Sequence, residues 1–223
     1  MKINWTSIDF IIIAVGAIFV FGILGYIAGR RKTQWLENVG ESAVRRFLLG
    51  AFPGTDFHLM NNITLQFEDG TTQIDHILVS RYGIFVIETK HYKGWIFGDA
   101  NSRNWTQVIY GYRSKFMNPI HQNFKHIVTV QKLLDFVPKD YIHSIVVFTG
   151  EGEFRTKRPE GVVDLYSLAD YISQYNELIL TQNRMQFCVG RIETARKSIS
   201  KKTDVEHEEY LLRKHYNKLH IND

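Results

Sequence analysis

Twenty consecutive residues without a charge, Phe10–Gly29 (FIIIAVGAIFVFGILGYIAG), constrain this chain more than any other feature. A helix of that length, at 1.5 Å per residue, matches the roughly 30 Å hydrocarbon thickness of a bilayer. A core helix of a globular domain would carry a polar stripe, and this run has none. A cleaved signal peptide has a shorter apolar stretch, about 7–15 residues, and ends in a small-residue cleavage site. Here the run ends in Gly29-Arg30-Arg31-Lys32. The sequence therefore predicts a retained transmembrane helix at 10–29, a short extracytoplasmic segment 1–9 before it and a basic juxtamembrane linker 30–36 after it. The cluster Arg30–Lys32 outweighs Lys2 and the α-amine, so the positive-inside rule places everything beyond residue 30 in the cytoplasm, at the cell membrane.

The remaining 193 residues suffice for one well-cored domain. A charged fraction of 22% and a hydrophobic fraction of 44% exclude disordered, collagen-like and disulfide-scaffold classes. One cysteine, Cys188, allows no internal disulfide and suits a reducing compartment. The nine histidines form no HExxH motif and have no cysteine pairs beside them, which argues against zinc.

Periodicity predicts a helix over 33–49, with Leu36, Val39, Ala43 and Phe47 on one stripe, ended by Gly50 and Pro53. Strand-like runs follow at 58–67, 72–80 and 84–90, separated by turn signals at Glu68-Asp69-Gly70 and Arg81-Tyr82-Gly83. Further strands are expected at 94–99, 105–112, 144–149 and 162–165. Asn118-Pro119 opens a helix whose stripe is Ile120, Phe124, Ile127 or Val128, and Leu134, because Asn caps well and Pro is tolerated at the first helical position. A short helix at 168–175 and two more at about 181–200 and 204–220 complete the order. Helix, strands, helix, strand reads as an α/β domain with a mixed sheet over 37–150, with a C-terminal strand and helical extension over 151–223.

The chemistry gathers in Ile84-Phe85-Val86-Ile87-Glu88-Thr89-Lys90. Alternation puts Glu88 and Lys90 on the face of Ile84 and Val86, and buried charges there demand a partner or a purpose. A two-residue loop at Tyr82-Gly83 would set Asp75 opposite Lys90 and Ile77 opposite Glu88. Asp75 and Glu88 then become diagonal neighbours about 7 Å apart, room for a divalent cation between them. A three-residue loop would pair Asp75 with Thr89 and turn it to the other face, unless a bulge restored the register.

Gln73-Ile74-Asp75-His76-Ile77 followed by Gly83-Ile84-Phe85-Val86-Ile87-Glu88-Thr89-Lys90 resembles the nuclease-related domain, NERD, of the PD-(D/E)XK nuclease superfamily. The resemblance extends to Gly40-Glu41, Gly94, Gly98, Trp105 and Asn118-Pro119-Ile120-His121-Gln122. It implies a restriction-endonuclease-like αβββαβ core behind the transmembrane helix. It also implies that Asp75 and Glu88, with Glu41 as an additional acid, hold Mg²⁺ or Mn²⁺, that Lys90 orients or deprotonates the attacking water, and that Gln122 lies at the rim. The expected activity is metal-dependent hydrolysis of DNA or RNA phosphodiesters at the cytoplasmic face. A non-catalytic module that binds nucleic acid or protein is the alternative. His76, on the face opposite Asp75, is read as packing. Trp95, Phe97, Trp105 and Tyr112 are read as core and sheet aromatics in preference to a stacking surface for single strands.

A reporter enzyme that works only in the cytoplasm, fused after Asp223, should be active. Activity there of a reporter that requires export would reverse the orientation.

Overall fold

The computed structural model describes residues 7–68 and 70–197, and the side chains of 19–26, 29, 38–68 and 70–197. Two compact units divide between Val39 and Gly40. The first is helical: α1 (Ser7–Ala51) includes the whole apolar run. Among the described residues no helix is long and apolar enough to cross a membrane, so the transmembrane helix expected at 10–29 is not shown. The side chains of 10–18, 27 and 28 in that run lie outside the description, as does the helix expected at 204–220.

The second unit takes the C-terminal turns of α1, from Gly40, into an α/β fold. Its elements are β1 (Phe57–Phe67), β2 (Gly70–Ser80), β3 (Gly83–Lys90), β4 (Gly94–Phe97), β5 (Asn104–Ile109), β6 (Tyr112–Met117), α2 (Pro119–Leu133), β7 (Ile142–Phe148), β8 (Gly152–Phe154), β9 (Val162–Asp164), α3 (Leu168–Ser173) and α4 (Gln182–Ala195). The main sheet runs β1-β2-β3-β7-β9, antiparallel up to β3 and parallel from β3 to β9. This is a mixed sheet with the order of a restriction-endonuclease-like αβββαβ core.

Helices cover both faces, which is why β3 is buried from Gly83 to Thr89 and reads as a nearly unbroken apolar run. Ile77, Val79, Ile84 and Val86 pack with Ile127 and Val130 of α2 and with Met185 and Val189 of α4. Leu78, Phe85, Ile87 and Ile145 pack on the other face with Val44 and Leu48 of α1 and Leu168 and Ile172 of α3. Gly40 brings α1 against the strand ends, where a Cβ would lie 2.9 Å from Thr149 Oγ1 and 3.2 Å from Thr89 Cγ2.

A second sheet, β6-β5-β4-β8, was only half legible in the sequence. The strand expected at 105–112 ends at Ile109, and β6 returns after a tight two-residue turn, Tyr110-Gly111, with φ 49° and 84°. Such left-handed pairs usually carry Asn or Gly, so a tyrosine hid the turn. Trp105 is fully buried, a core aromatic, while Trp95 and Tyr112 are sheet aromatics on β4 and β6, 46% and 84% exposed.

Helix α2 begins as expected. Asn118 Oδ1 accepts from Ile120 N at 2.9 Å, while its Nδ2 donates to the carbonyls of Asp99, Ala100 and Ser102. One residue therefore caps α2 and fastens it to the loop before β5. The inward stripe differs from expectation: Phe124 is exposed, and Asn123, His126, Ile127 and Val130 face the sheet. Asn123 Nδ2 reaches Val86 O at 2.9 Å, Ser144 Oγ at 2.8 Å and Ile145 O at 3.1 Å. Asn123→Ala should strand these acceptors and lower unfolding free energy by about 2–3 kcal/mol in denaturant titrations, with an unchanged m-value.

Candidate active site

The hairpin between β2 and β3 sets the site. Its loop is Arg81-Tyr82, with Ser80 paired to Gly83, so the register differs by two residues from the one built on a Tyr82-Gly83 loop. Ile77 faces Val86 rather than Glu88. Ser80 Oγ explains the shift: it accepts from Tyr82 N at 3.1 Å and donates to Gly83 O at 2.8 Å, closing the turn one residue early. A two-residue shift preserves the face. One step beyond the last ladder pair, His76 with Ile87, Asp75 falls across from Glu88.

Strict alternation does not hold at Asp75. Ile74 and Ile77, three residues apart, enter the same core cluster, as do Met60 and Ile63 on β1. The pleat breaks across Asn62, whose φ is 52°, and its neighbour Asp75. At the break the Asp75 carboxylate turns to β3 and accepts from Thr89 N at 2.7 Å, standing in for a backbone carbonyl. The two strands part there, and a carboxylate fills the gap.

Glu88 is only 2% exposed and both its oxygens are held: Lys90 Nζ lies 2.6 Å from Oε1 and His126 Nε2 3.1 Å from Oε2. Gln122 Oε1 accepts from the same Lys90 Nζ at 3.0 Å. Thr72 Oγ1 bonds the other nitrogen of His126 at 2.8 Å. The structure thus brings Asp75, Glu88, Lys90 and Gln122 together. Glu41, on α1, lies near enough for its charge to act on Asp75. His126 escaped the sequence reading, although it follows Gln122 by one helical turn and so shares its face.

The two carboxylates are driven in opposite directions. Burial raises the Asp75 pKa well above its ordinary value, and the charges of Glu88 and Glu41 add to the rise against Lys90 and the Thr89 amide. Burial would raise Glu88 too, but Lys90 and His126 outweigh it and hold Glu88 below its usual range. Burial opposes the charge on Lys90, yet Glu88 and then Asp75 raise its pKa, so it stays an ammonium. His76, on the far face, bonds Asn61 Oδ1 through Nδ1 at 2.7 Å, and burial lowers it to about 4, a neutral packing residue as expected.

Among the described residues no three His, Cys, Asp or Glu side chains form a cage for a metal ion. The donor chemistry nonetheless fits Mg²⁺ or Mn²⁺, because such ions use one or two carboxylates and complete their shell with water and phosphate oxygens. Repulsion between the Asp75 and Glu88 charges is the feature a cation would relieve.

The chain matches the family model described as nuclease-related domain over residues 36–149. It is 33% identical over 174 residues to an uncharacterised protein of Bacillus anthracis, covering 73% of this chain and 78% of that one. No solved structure matches it.

A carboxyl with a raised folded pKa weakens the fold once it ionises. Without metal, Asp75→Asn should therefore be firmer than wild type at pH 7, an advantage that disappears as pH falls below the unfolded value of 3.8. Glu88, with a lowered folded pKa, contributes stability above its unfolded value of 4.5. Glu88→Gln should cost on the order of 3 kcal/mol at pH 7, since it strands Lys90. Melting curves against pH test both signs.

Proposed function

Because the chain belongs to the nuclease-related domain family of the PD-(D/E)XK-like nuclease superfamily, we propose that it hydrolyses nucleic-acid phosphodiesters with the help of Mg²⁺ or Mn²⁺ at the cytoplasmic face of a membrane. The observation that carries this reading is the Asp75–Glu88 juxtaposition at a strand break, with an ammonium beside it. Asp75 and Glu88 would hold the ion, with Glu41 as an additional acid. When bound there, the ion supplies charge neutralisation at the phosphate and a more acidic water.

Lys90 is held protonated, which favours orienting water and a phosphate oxygen over taking a proton. Gln122 fixes the Lys90 ammonium from α2, and His126, itself held by Thr72, fixes Glu88. Each group is set by a second partner, the preorganisation that phosphoryl chemistry draws on. For the membrane tether, Phe19, Val20, Phe21, Ile23 and Leu24 are all exposed on α1, a surface that water solvates poorly and lipid solvates well. The basic cluster Arg30–Lys32 would then lie at anionic headgroups, with the N-terminus outside.

A second reading has its own observation. Both Glu88 oxygens are already bonded within the protein, as in a structural ion pair, and a binding module of this fold without catalysis would keep them so. Calorimetry on the full chain in detergent separates the two. Mg²⁺ or Mn²⁺ at millimolar concentration should raise the melting temperature of wild type and not of Asp75→Asn. Lys90→Ala should keep the metal response and lose cleavage by roughly 100-fold or more. A wild type indifferent to both ions would remove the catalytic reading.

A further inference from the structure

The second sheet has one packed face and one open face. Ile96, Trp105 and Phe116 point into a core with Val146, Phe148 and Val162. The other face is organised in rows across the strands, because directly paired residues share a face. Trp95 pairs with Val108 and Val108 with Arg113; Phe97 pairs with Thr106 and Thr106 with Lys115. Each row thus begins in an aromatic ring on β4 and ends in an exposed cation on β6. Glu153 stands beside Trp95 on β8, but Arg155 binds it at 2.8 Å and lays its guanidinium 4.5 Å over the Trp95 ring.

Charge follows the same pattern along the chain. Residues 100–134 contain no Asp or Glu, yet include Arg103, Arg113, Lys115, Lys125 and Lys132. At the hairpin tip Tyr110 sits at φ 49° and is 98% exposed, a left-handed backbone whose cost no burial repays. A groove of about 450 Å³ runs between Trp95 and Tyr110, bordered by Lys93 and by Glu151, which stands 4.0 Å from Lys93.

We infer that this open face docks single-stranded nucleic acid, with bases stacking on Trp95 and Phe97 and phosphates meeting Arg113 and Lys115. The inference rests on the nuclease reading for its link to chemistry, and it narrows the substrate to unpaired strands. Stacking requires bases whose faces are free, which a duplex does not offer. The location also fits. The chain enters β4 four residues after Lys90 and leaves β6 five residues before Gln122, and those two side chains are bonded at 3.0 Å. Strands β4, β5 and β6 are therefore one excursion of the chain that leaves and rejoins the candidate active site.

The test uses the full chain in detergent micelles with EDTA, so that binding is read without cleavage. Anisotropy of a fluorescein-labelled 20-nucleotide oligothymidylate should show tighter binding than the matching duplex. Trp95→Ala should weaken it by roughly 10-fold or more, and Trp95→Phe should retain most of the affinity. The pair Arg113→Glu and Lys115→Glu should weaken it further and flatten the salt dependence by about 1.4 in log–log slope. Unchanged affinity in both variants, with wild-type melting temperatures, overturns the inference. So does a dye on Tyr110→Cys that responds to phosphatidylserine vesicles and not to the oligonucleotide, which would assign the face to lipid. Cleavage with Mg²⁺ is scored separately: loss of binding in the variants without any cleavage by wild type upholds docking and removes the nuclease reading, whereas cleavage by wild type and variants alike removes docking alone.

Discussion

Glu88 sits where the sheet is covered on both faces, and a carboxylate there is tolerable only if its lost hydration is replaced. Lys90, two residues on, supplies one bond and His126 of α2 the other. Because Gln122 also reaches Lys90, one face of α2 is locked to the end of β3 through two successive turns. Asn123 and the Ile127–Val130 stripe then find their places on the sheet, so the polar cluster and the apolar core specify the same helix position. Such agreement between levels is what gives a sequence one structure. The same bonds decide the chemistry, since they separate Asp75, which resists ionisation, from Glu88, which favours it.

The core strands announced themselves in the sequence because their apolar runs are bounded by turn residues, and α2 did because Asn-Pro is a strong start signal. Asp75, Glu88 and Lys90 stood out as charges inside a strand-like segment. The register did not, because it hangs on the Ser80 hydroxyl closing a turn, a local bond that competes with the usual loop and leaves no periodic trace. The face of Asp75 was reached by alternation that is in fact interrupted; two departures, the shifted loop and the broken pleat, leave the carboxylate beside Glu88. His126 was hidden for another reason: a histidine gains meaning only when its partner across the fold is known.

Strand β6 escaped because the apolar residues of its sequence, YRSKFM, do not alternate with the polar ones, and its pattern is exposed along nearly its whole length. That is a property of a sheet whose outer face none of the described helices buries. The main sheet follows the opposite regime, with both faces covered and a continuous hydrophobic run in β3. One chain therefore contains two sheets under different selection by water, the first built to exclude it and the second to meet something in it.

The bond between Lys90 and Gln122 closes a loop of chain that contains the whole of β4, β5 and β6. The segment between these two anchors is inserted between β3 and α2 of the αβββαβ core, and it packs on that core through Ile96, Trp105 and Phe116. Substitutions on its open face, at Trp95, Arg113 and Lys115, leave that packing and the carboxylates untouched. The plan is that of a fixed frame carrying an exchangeable surface, since the packed face of the second sheet answers to the core and its open face does not.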